Sequence, residues 1–260
     1  MTSTRRGIGV AGALDHTIVR EIAPEVERLG YATFWANDTP GGDGLASLAV
    51  AASVTDAIRL GVGVVAVDRV PASVILARIG ELGLPRERLV VGIGSGGVRK
   101  GSLELIRANA TALHEAGIRV VVGALGPKMV AISGEVADGA LLNWLTPVAA
   151  ARSVDDLQAA ARGRAVEAIA YVRTALDNSA LAKLESEALR YESFPQYGAH
   201  FERIGVRAID TCVTGPTAAA VQAGLAGFDG IVDEVVARAI VSEETAENYL
   251  DLIRAAAPEA

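Results

Sequence analysis

Four stretches of this chain combine residue types that could do chemistry. Asn37-Asp38-Thr39-Pro40-Gly41-Gly42, Gly92-Ile93-Gly94-Ser95-Gly96-Gly97 and Gly123-Ala124-Leu125-Gly126-Pro127-Lys128 each close an apolar run, and Gly61-Val62-Gly63-Val64 lies within one. Glycine allows a backbone to approach a ligand closely. Pro127 beside Gly126 suits the first turn of a helix whose free N–H groups, with Lys128 close by, could hold a phosphate. Asp38 can donate or accept a proton or orient a substrate, and the same segment also reads as a helix cap or turn. The three histidines, His16, His114 and His200, fall in or beside helical patterns, so no nucleophile stands next to a base as a hydrolytic triad requires. With Cys212 as the single cysteine, histidine and cysteine are too few and wrongly placed for a zinc site. Gly92, Gly94 and Gly97 match the dinucleotide spacing G-x-G-x-x-G, but in the fourth repeat rather than the first and without a clear acidic residue about 20 positions on.

The elements that must position these residues recur steadily. Apolar runs at Gly7–Val10, Ala32–Trp35, Leu60–Val67, Leu89–Ile93, Ile118–Val122, Gly139–Leu142, Glu167–Val172 and Ile231–Val236 read as buried strands. Steps between the middles of the first five are 26, 28, 29 and 30 residues (Ile8, Phe34, Val62, Val91, Val121), the length of one βα unit. Between them lie helical patterns such as Ile18-Ile22-Val26-Leu29, and glycines at Gly30 and Gly117 mark helix ends that lead straight into a strand. Eight such strands predict an α/β fold of the (β/α)8 TIM barrel type, one domain over residues 1–260. An open doubly wound sheet alternates in the same way, but near-equal repeats and a length near 250 favour closure. In a barrel the active site lies at the C-terminal strand ends, where a phosphorylated cofactor lying flat across the mouth would explain the glycine set. The step from Ile169 to Val232 is longer and carries extra helices over Leu181–Tyr191, Phe194–Ile204 and Pro216–Leu225 that could cap the mouth or form a subunit contact.

Composition narrows the partners. The 260 residues include 24 Lys+Arg and 31 Asp+Glu, a net charge of −7, with three lysines, Lys100, Lys128 and Lys183. That balance excludes a basic nucleic-acid binder. Hydrophobic residues are 51% and charged ones 21%, which is core-forming composition. No run is apolar and uncharged for about 18 residues, as a membrane span requires, and nothing at the start reads as a signal-peptide core. The expectation is a cytoplasmic protein acting on a small-molecule substrate, with no metal. The Phe194-Pro195-Gln196-Tyr197 segment reads equally as a homo-oligomer contact and as intrachain packing.

Ala124-Leu-Gly-Pro-Lys-Met129, Gly134-Glu-Val-Ala-Asp-Gly139 and Leu141-Leu-Asn-Trp-Leu-Thr-Pro147 form the most specific group, supported by Phe34-Trp-Ala-Asn-Asp38, Leu60-Gly-Val-Gly-Val64 and Leu89-Val-Val-Gly-Ile-Gly-Ser-Gly96. In these pieces and their order the sequence resembles the bacterial luciferase-like superfamily over essentially its whole length. It is most similar to the branch that uses the deazaflavin coenzyme F420, the methylenetetrahydromethanopterin reductase-like proteins. The resemblance implies a compact luciferase-like barrel whose third strand bulges behind the coenzyme ring through a non-proline cis peptide, by position Gly63-Val64. It places Asn37 and Asp38 beside the ring, Gly94, Ser95 and Gly96 at its edge, and Gly123, Ala124, Gly126, Pro127 and Lys128 on the tail. Asn143 and Trp144 would flank the mouth, Trp144 being equally readable as a packed aromatic, and Asp38 is the candidate catalytic residue.

Two departures shape the expected activity. The chain lacks the long insertion that often follows the fourth strand, and the histidine of the family's sugar-phosphate dehydrogenases is missing after Asn37-Asp38, against sugar phosphate oxidation. The expected function is an F420-dependent oxidoreductase that transfers a hydride between the deazaflavin and a small organic substrate. Alternatives are an FMN-dependent luciferase-like monooxygenase, which needs a reductase and a dry pocket, and a non-catalytic flavin- or deazaflavin-binding protein. An unrelated phosphate-binding aldolase or isomerase would want a lysine or carboxylate inside the barrel, and the three lysines lie outside the expected strands.

Overall fold

The computed structural model describes residues 4–39, 41–98 and 100–258; Pro40 of the Asn37–Gly42 segment lies outside them. The strands are β1 (Arg5–Val10), β2 (Thr33–Ala36), β3 (Arg59–Ala66), β4 (Leu89–Gly94), β5 (Arg119–Ala124), β6 (Gly139–Asn143), β7 (Glu167–Ala175), β8 (Val213–Thr214) and β9 (Glu234–Ala239). The helices are α1 (His16–Arg28), α2 (Gly44–Ala52), α3 (Ala72–Glu81), α4 (Ser102–Glu115), α5 (Pro127–Val136), α6 (Pro147–Ala161), α7 (Leu181–Glu192), α8 (Pro195–Ile204), α9 (Ala218–Ala226) and α10 (Ala246–Ala255).

All strand pairings are parallel. β1 through β7 pair in sequence, and β9 joins β7 to β1, closing an eight-stranded barrel to which the two-residue β8 adds outside, against the end of β7. The protein is therefore a (β/α)8 TIM barrel. Each of the eight expected runs is represented by a strand, with shifts at the ends. Ile231 and Val232 lie in the turn before β9, and both β7 and β9 continue past the residues where their apolar runs stop, to Ala175 and Ala239. The expected extra helices are present: α7 and α8 are inserted after β7, and α9 packs on α10 and β8 in the outer ring.

Alternation along each strand divides the core in two. Outward residues such as Ile8, Phe34, Leu60, Val91 and Val120 pack under helix faces like that of α1, where Val19, Ile22 and Val26 are fully buried. Inward residues Trp35, Val90, Val121, Leu141, Ile169, Tyr171 and Val236 fill the barrel. Glycines on neighbouring strands make that filling possible. A Cβ on Gly61 would lie 2.4 Å from the Trp35 ring, and one on Gly9 would lie 2.3 Å from the Tyr171 hydroxyl.

The N-terminal end of the barrel is closed by charge. Glu234, fully buried, accepts from Trp35 Nε1 at 3.0 Å and Thr33 Oγ1 at 3.2 Å, and pairs with Arg59. Glu167 pairs with Arg5 at 2.8 Å, Arg119 at 3.1 Å and Arg59 at 3.4 Å. Burial pushes the Glu234 carboxyl above the usual range, while the three arginines around Glu167 outweigh its burial and hold it below. Removing one partner of such a pair strands the other in low dielectric. Glu234→Ala is expected to lower unfolding free energy by about 3–5 kcal/mol, read from urea denaturation midpoints. Glu234→Gln, which keeps an acceptor for Trp35, should lose less, and equal losses would show that the acceptor at Trp35 is immaterial.

Candidate functional site at the C-terminal mouth

The site is built on an irregularity in β3. Pairing of β3 with β4 shifts between Val62 and Val65, and the Gly63-Val64 peptide is cis, at the position the resemblance implies. The half-buried Val64 side chain rests on the inner cluster at the mouth. Its methyl groups would lie 2.9 Å from a Cβ on Gly94, 2.9 Å from one on Gly123 and 3.2 Å from one on Gly92. These glycines thus make room for a protein side chain first, and Val64 in turn offers an apolar face at the strand tips.

Asn37, at the end of β2, organises the rim beside it. Its Nδ2 donates to the Gly63 carbonyl at 3.1 Å, and its Oδ1 accepts from Tyr171 OH at 2.9 Å and Arg238 Nε at 3.0 Å. Burial drives the Tyr171 hydroxyl up to about 12 although Arg238 and Arg173 act against it, so at neutral pH the phenol keeps the proton it donates. One amide therefore ties four strands together, β2, β3, β7 and β9.

Next along the rim, Arg173 of β7 donates Nε to Glu187 of α7 at 2.9 Å and Nη1 to Asn143 Oδ1 at the end of β6, and its guanidinium stacks 3.6 Å above the Trp144 ring. Burial opposes ionisation of Glu187, but Arg173, Arg238 and Arg190 outweigh it and hold the carboxyl below its usual range. Trp144 adopts φ +55° and is 1% exposed, enclosed by Tyr191 and Phe201 of the inserted helices. It is a packed aromatic beneath the mouth's edge and not part of the open surface. Buried His200 braces the same region. Burial lowers its pKa, and in the neutral ring Nε2 donates to the Trp144 carbonyl at 2.7 Å while Nδ1 accepts from Arg203 at 2.6 Å.

Asp38 is half-buried at the mouth and accepts from Gly44 N–H, in the first turn of α2, at 3.3 Å. It thus has the helix-start contact of a capping residue and the position of a rim acid. Burial raises its pKa, with the Asp43 carboxylate adding to the shift, although the Gly44 N–H acts against it. Two strands along, after β4, Gly96 has φ +60°, and a Cβ there would lie 1.9 Å from the Asp68 carboxylate, which also accepts from Gly97 N–H at 2.9 Å. The loop after β4 therefore wraps Asp68, leaving Ser95 half-exposed beside it.

The expected tail residues separate into two groups. Gly126, Pro127 and Lys128 line a cleft of about 500 Å³ between the starts of α4 and α5, and neither helix start has a side-chain cap. Gly123 instead faces Val64 inside the mouth, and Ala124 is 2% exposed in the outer core. The structure thus gathers Asn37, Asp38, Gly63, Val64, Gly94, Ser95, Gly123 and Asn143 around one opening, with Gly96 beside it on Asp68 and the Gly126–Lys128 cleft adjoining. Sequence reading missed Tyr171, Arg173, Glu187 and Arg238. The available signal was an arginine immediately after an apolar run, at Val172-Arg173 and Ala237-Arg238.

The family profile for luciferase-like monooxygenases matches residues 1–101 and 100–257. The chain belongs to the luciferase-like monooxygenase family. No curated protein matches it in sequence. Among solved structures, it is similar to the F420-dependent tetrahydromethanopterin reductase of Methanopyrus kandleri, at 18% identity and TM-score 0.66 over 96% of this chain and 98% of that one. An F420-dependent secondary alcohol dehydrogenase bound to an F420-acetone adduct superposes with TM-score 0.77 at 12% identity, covering 99% and 100% of the two chains. EDTA monooxygenase of Chelativorans sp. BNC1 gives 0.62 at 13% identity, over 98% and 95%. At these identities the likenesses establish a fold shared with two F420-dependent enzymes and with a monooxygenase.

The upward shift of Asp38 fixes the sign of one outcome. The cost of the raised folded value develops as pH rises past the unfolded pKa and is complete once the pH exceeds the folded one; below about pH 3 both forms are protonated and the cost vanishes. Asp38→Asn is expected to raise Tm by about 2 °C at pH 7 and by nothing near pH 3, measured by thermal unfolding at the two pH values. A lower Tm at pH 7 would mean that the contact with Gly44 outweighs burial.

Proposed function

We propose that this protein is an F420-dependent oxidoreductase that exchanges a hydride between the deazaflavin and a small organic substrate. The observation that carries the reading is the Val64 face, held at the mouth by glycines and adjoining a cleft whose helix starts lack caps. A flat ring needs an apolar surface beneath it, and an acidic tail needs unpaired N–H groups and a cation, which the start of α5 and Lys128 offer. The residues present fit such a group. When bound, the deazaflavin supplies the carbon that gives or takes the hydride, and the protein supplies positioning and proton handling. Asn37 holds the Gly63 carbonyl, and with it the backbone of the β3 irregularity that would support the ring. Asp38, whose burial favours the protonated carboxyl, is placed to give a proton to a reduced substrate oxygen or take one in the reverse direction. Asn143 and Ser95 are half-exposed polar groups left to orient substrate.

The FMN-dependent monooxygenase reading demands a water-free pocket. Here the rim is made of Asn37, Asp38, Asn143 and Arg238, each reached in part by solvent, which favours hydride exchange without oxygen. Anaerobic absorbance titration with F420 and with FMN tests the choice. F420 is expected to bind at least about tenfold more tightly, and Lys128→Glu to weaken it about tenfold at low salt through lost attraction to the tail. Tighter FMN binding, or binding of neither compound, overturns the reading.

A further inference from the structure

Arg173 and Arg238 stand opposite one another in the register of β7 and β9, on adjacent parallel strands at the mouth. Like charges in that position repel. Arg173 is answered by Glu187 and stacked on Trp144, so its charge is engaged within the protein. Arg238 has no carboxylate within ion-pair distance among the described residues. It gives Nε to Asn37 and Nη1 to the Ala239 carbonyl, and its other terminal nitrogen has no protein acceptor there. Arg190 adds a third guanidinium near Glu187, so the part of the rim formed by Arg173, Arg190, Arg238 and Glu187 sums to 3 − 1 = +2, while Asp38 and Asp68 lie in the loops after β2 and β3.

A guanidinium whose Nε is fixed by a half-buried amide is oriented before any ligand arrives, with its remaining edge available for a planar oxyanion. The usual alternative is the coenzyme's own acidic tail. That tail is assigned to the cleft after β5, and around the barrel β6 and β7 stand between β5 and β9. We infer that the substrate is a small organic acid whose carboxylate or equivalent oxyanion is received by Arg238, a specificity-determining residue, at the rim beside Asn37. This rests on the proposed function insofar as the acid is the partner in hydride exchange, but the binding itself can be read alone.

The test uses the full-length protein, loaded with F420 or FMN, whichever it binds, and titrated calorimetrically with malonate and with neutral malonamide at constant ionic strength. Malonate is expected to bind saturably and at least about tenfold more tightly than malonamide. Arg238→Gln should weaken malonate about ten- to a hundredfold, the range for a charged hydrogen bond, with coenzyme affinity unchanged within about twofold. Arg28→Gln, an exposed change on α1, should leave both unchanged. Wild-type protein that binds coenzyme but does not distinguish malonate from malonamide overturns the inference while leaving the proposed function standing. A coenzyme affinity that falls with Arg238→Gln as much as malonate affinity also overturns it, by assigning the guanidinium to the coenzyme. Should Arg238→Gln fail to fold, the wild-type comparison of the two probes decides, with Arg238→Lys expected to fall between wild type and total loss.

Discussion

Space inside an eight-stranded barrel is the constraint from which the rest follows. Its interior holds only a few large side chains at each level, and three here sit against strands that contribute no side chain at that height. Trp35 occupies the space left by Gly61, Tyr171 that left by Gly9, and Val64 that shared by Gly92, Gly94 and Gly123. Packed interiors tolerate neither overlap nor voids. Glycine in these strands is therefore part of the core design, and the ligand-facing surface is what remains after the core has been fitted.

The two ends of the barrel use charge in opposite ways. At the N-terminal end Arg5, Arg59 and Arg119 surround Glu167 and Glu234, so opposite charges answer one another and seal the floor. At the C-terminal end, over β7 and β9, three guanidiniums, Arg173, Arg190 and Arg238, meet the one carboxylate of Glu187. Conservative packing at one end and unsatisfied charge at the other is the asymmetry a (β/α)8 fold imposes when only one end performs chemistry.

Much of this was legible in the sequence, and the reason differs from part to part. Period and apolar runs disclosed the barrel because buried parallel strands carry few polar residues, and the β3 peptide was placed through the family resemblance of Leu60–Val64. What escaped were Tyr171, Arg173 and Arg238. An apolar-run criterion ends a strand where a charge appears, and at the mouth the charges belong to the strand. Trp144 was left with two readings for the complementary reason: a tryptophan after a strand fits a rim residue and a packed one alike, and the inserted α7 and α8 that enclose it are distant in sequence. The purpose of Gly96 was hidden similarly, since its conformation answers to Asp68, 28 positions earlier (96 − 68 = 28).

His200 grips the Trp144 carbonyl while Arg203 grips that of Leu125, so α8 is riveted to the tips of two neighbouring staves. The inserted pair of helices is consequently a fixed bulwark and not a swinging door. On the opposite bank the loops after β1 through β4 carry no inserted helix among the described residues, so the barrel mouth is walled on one side only.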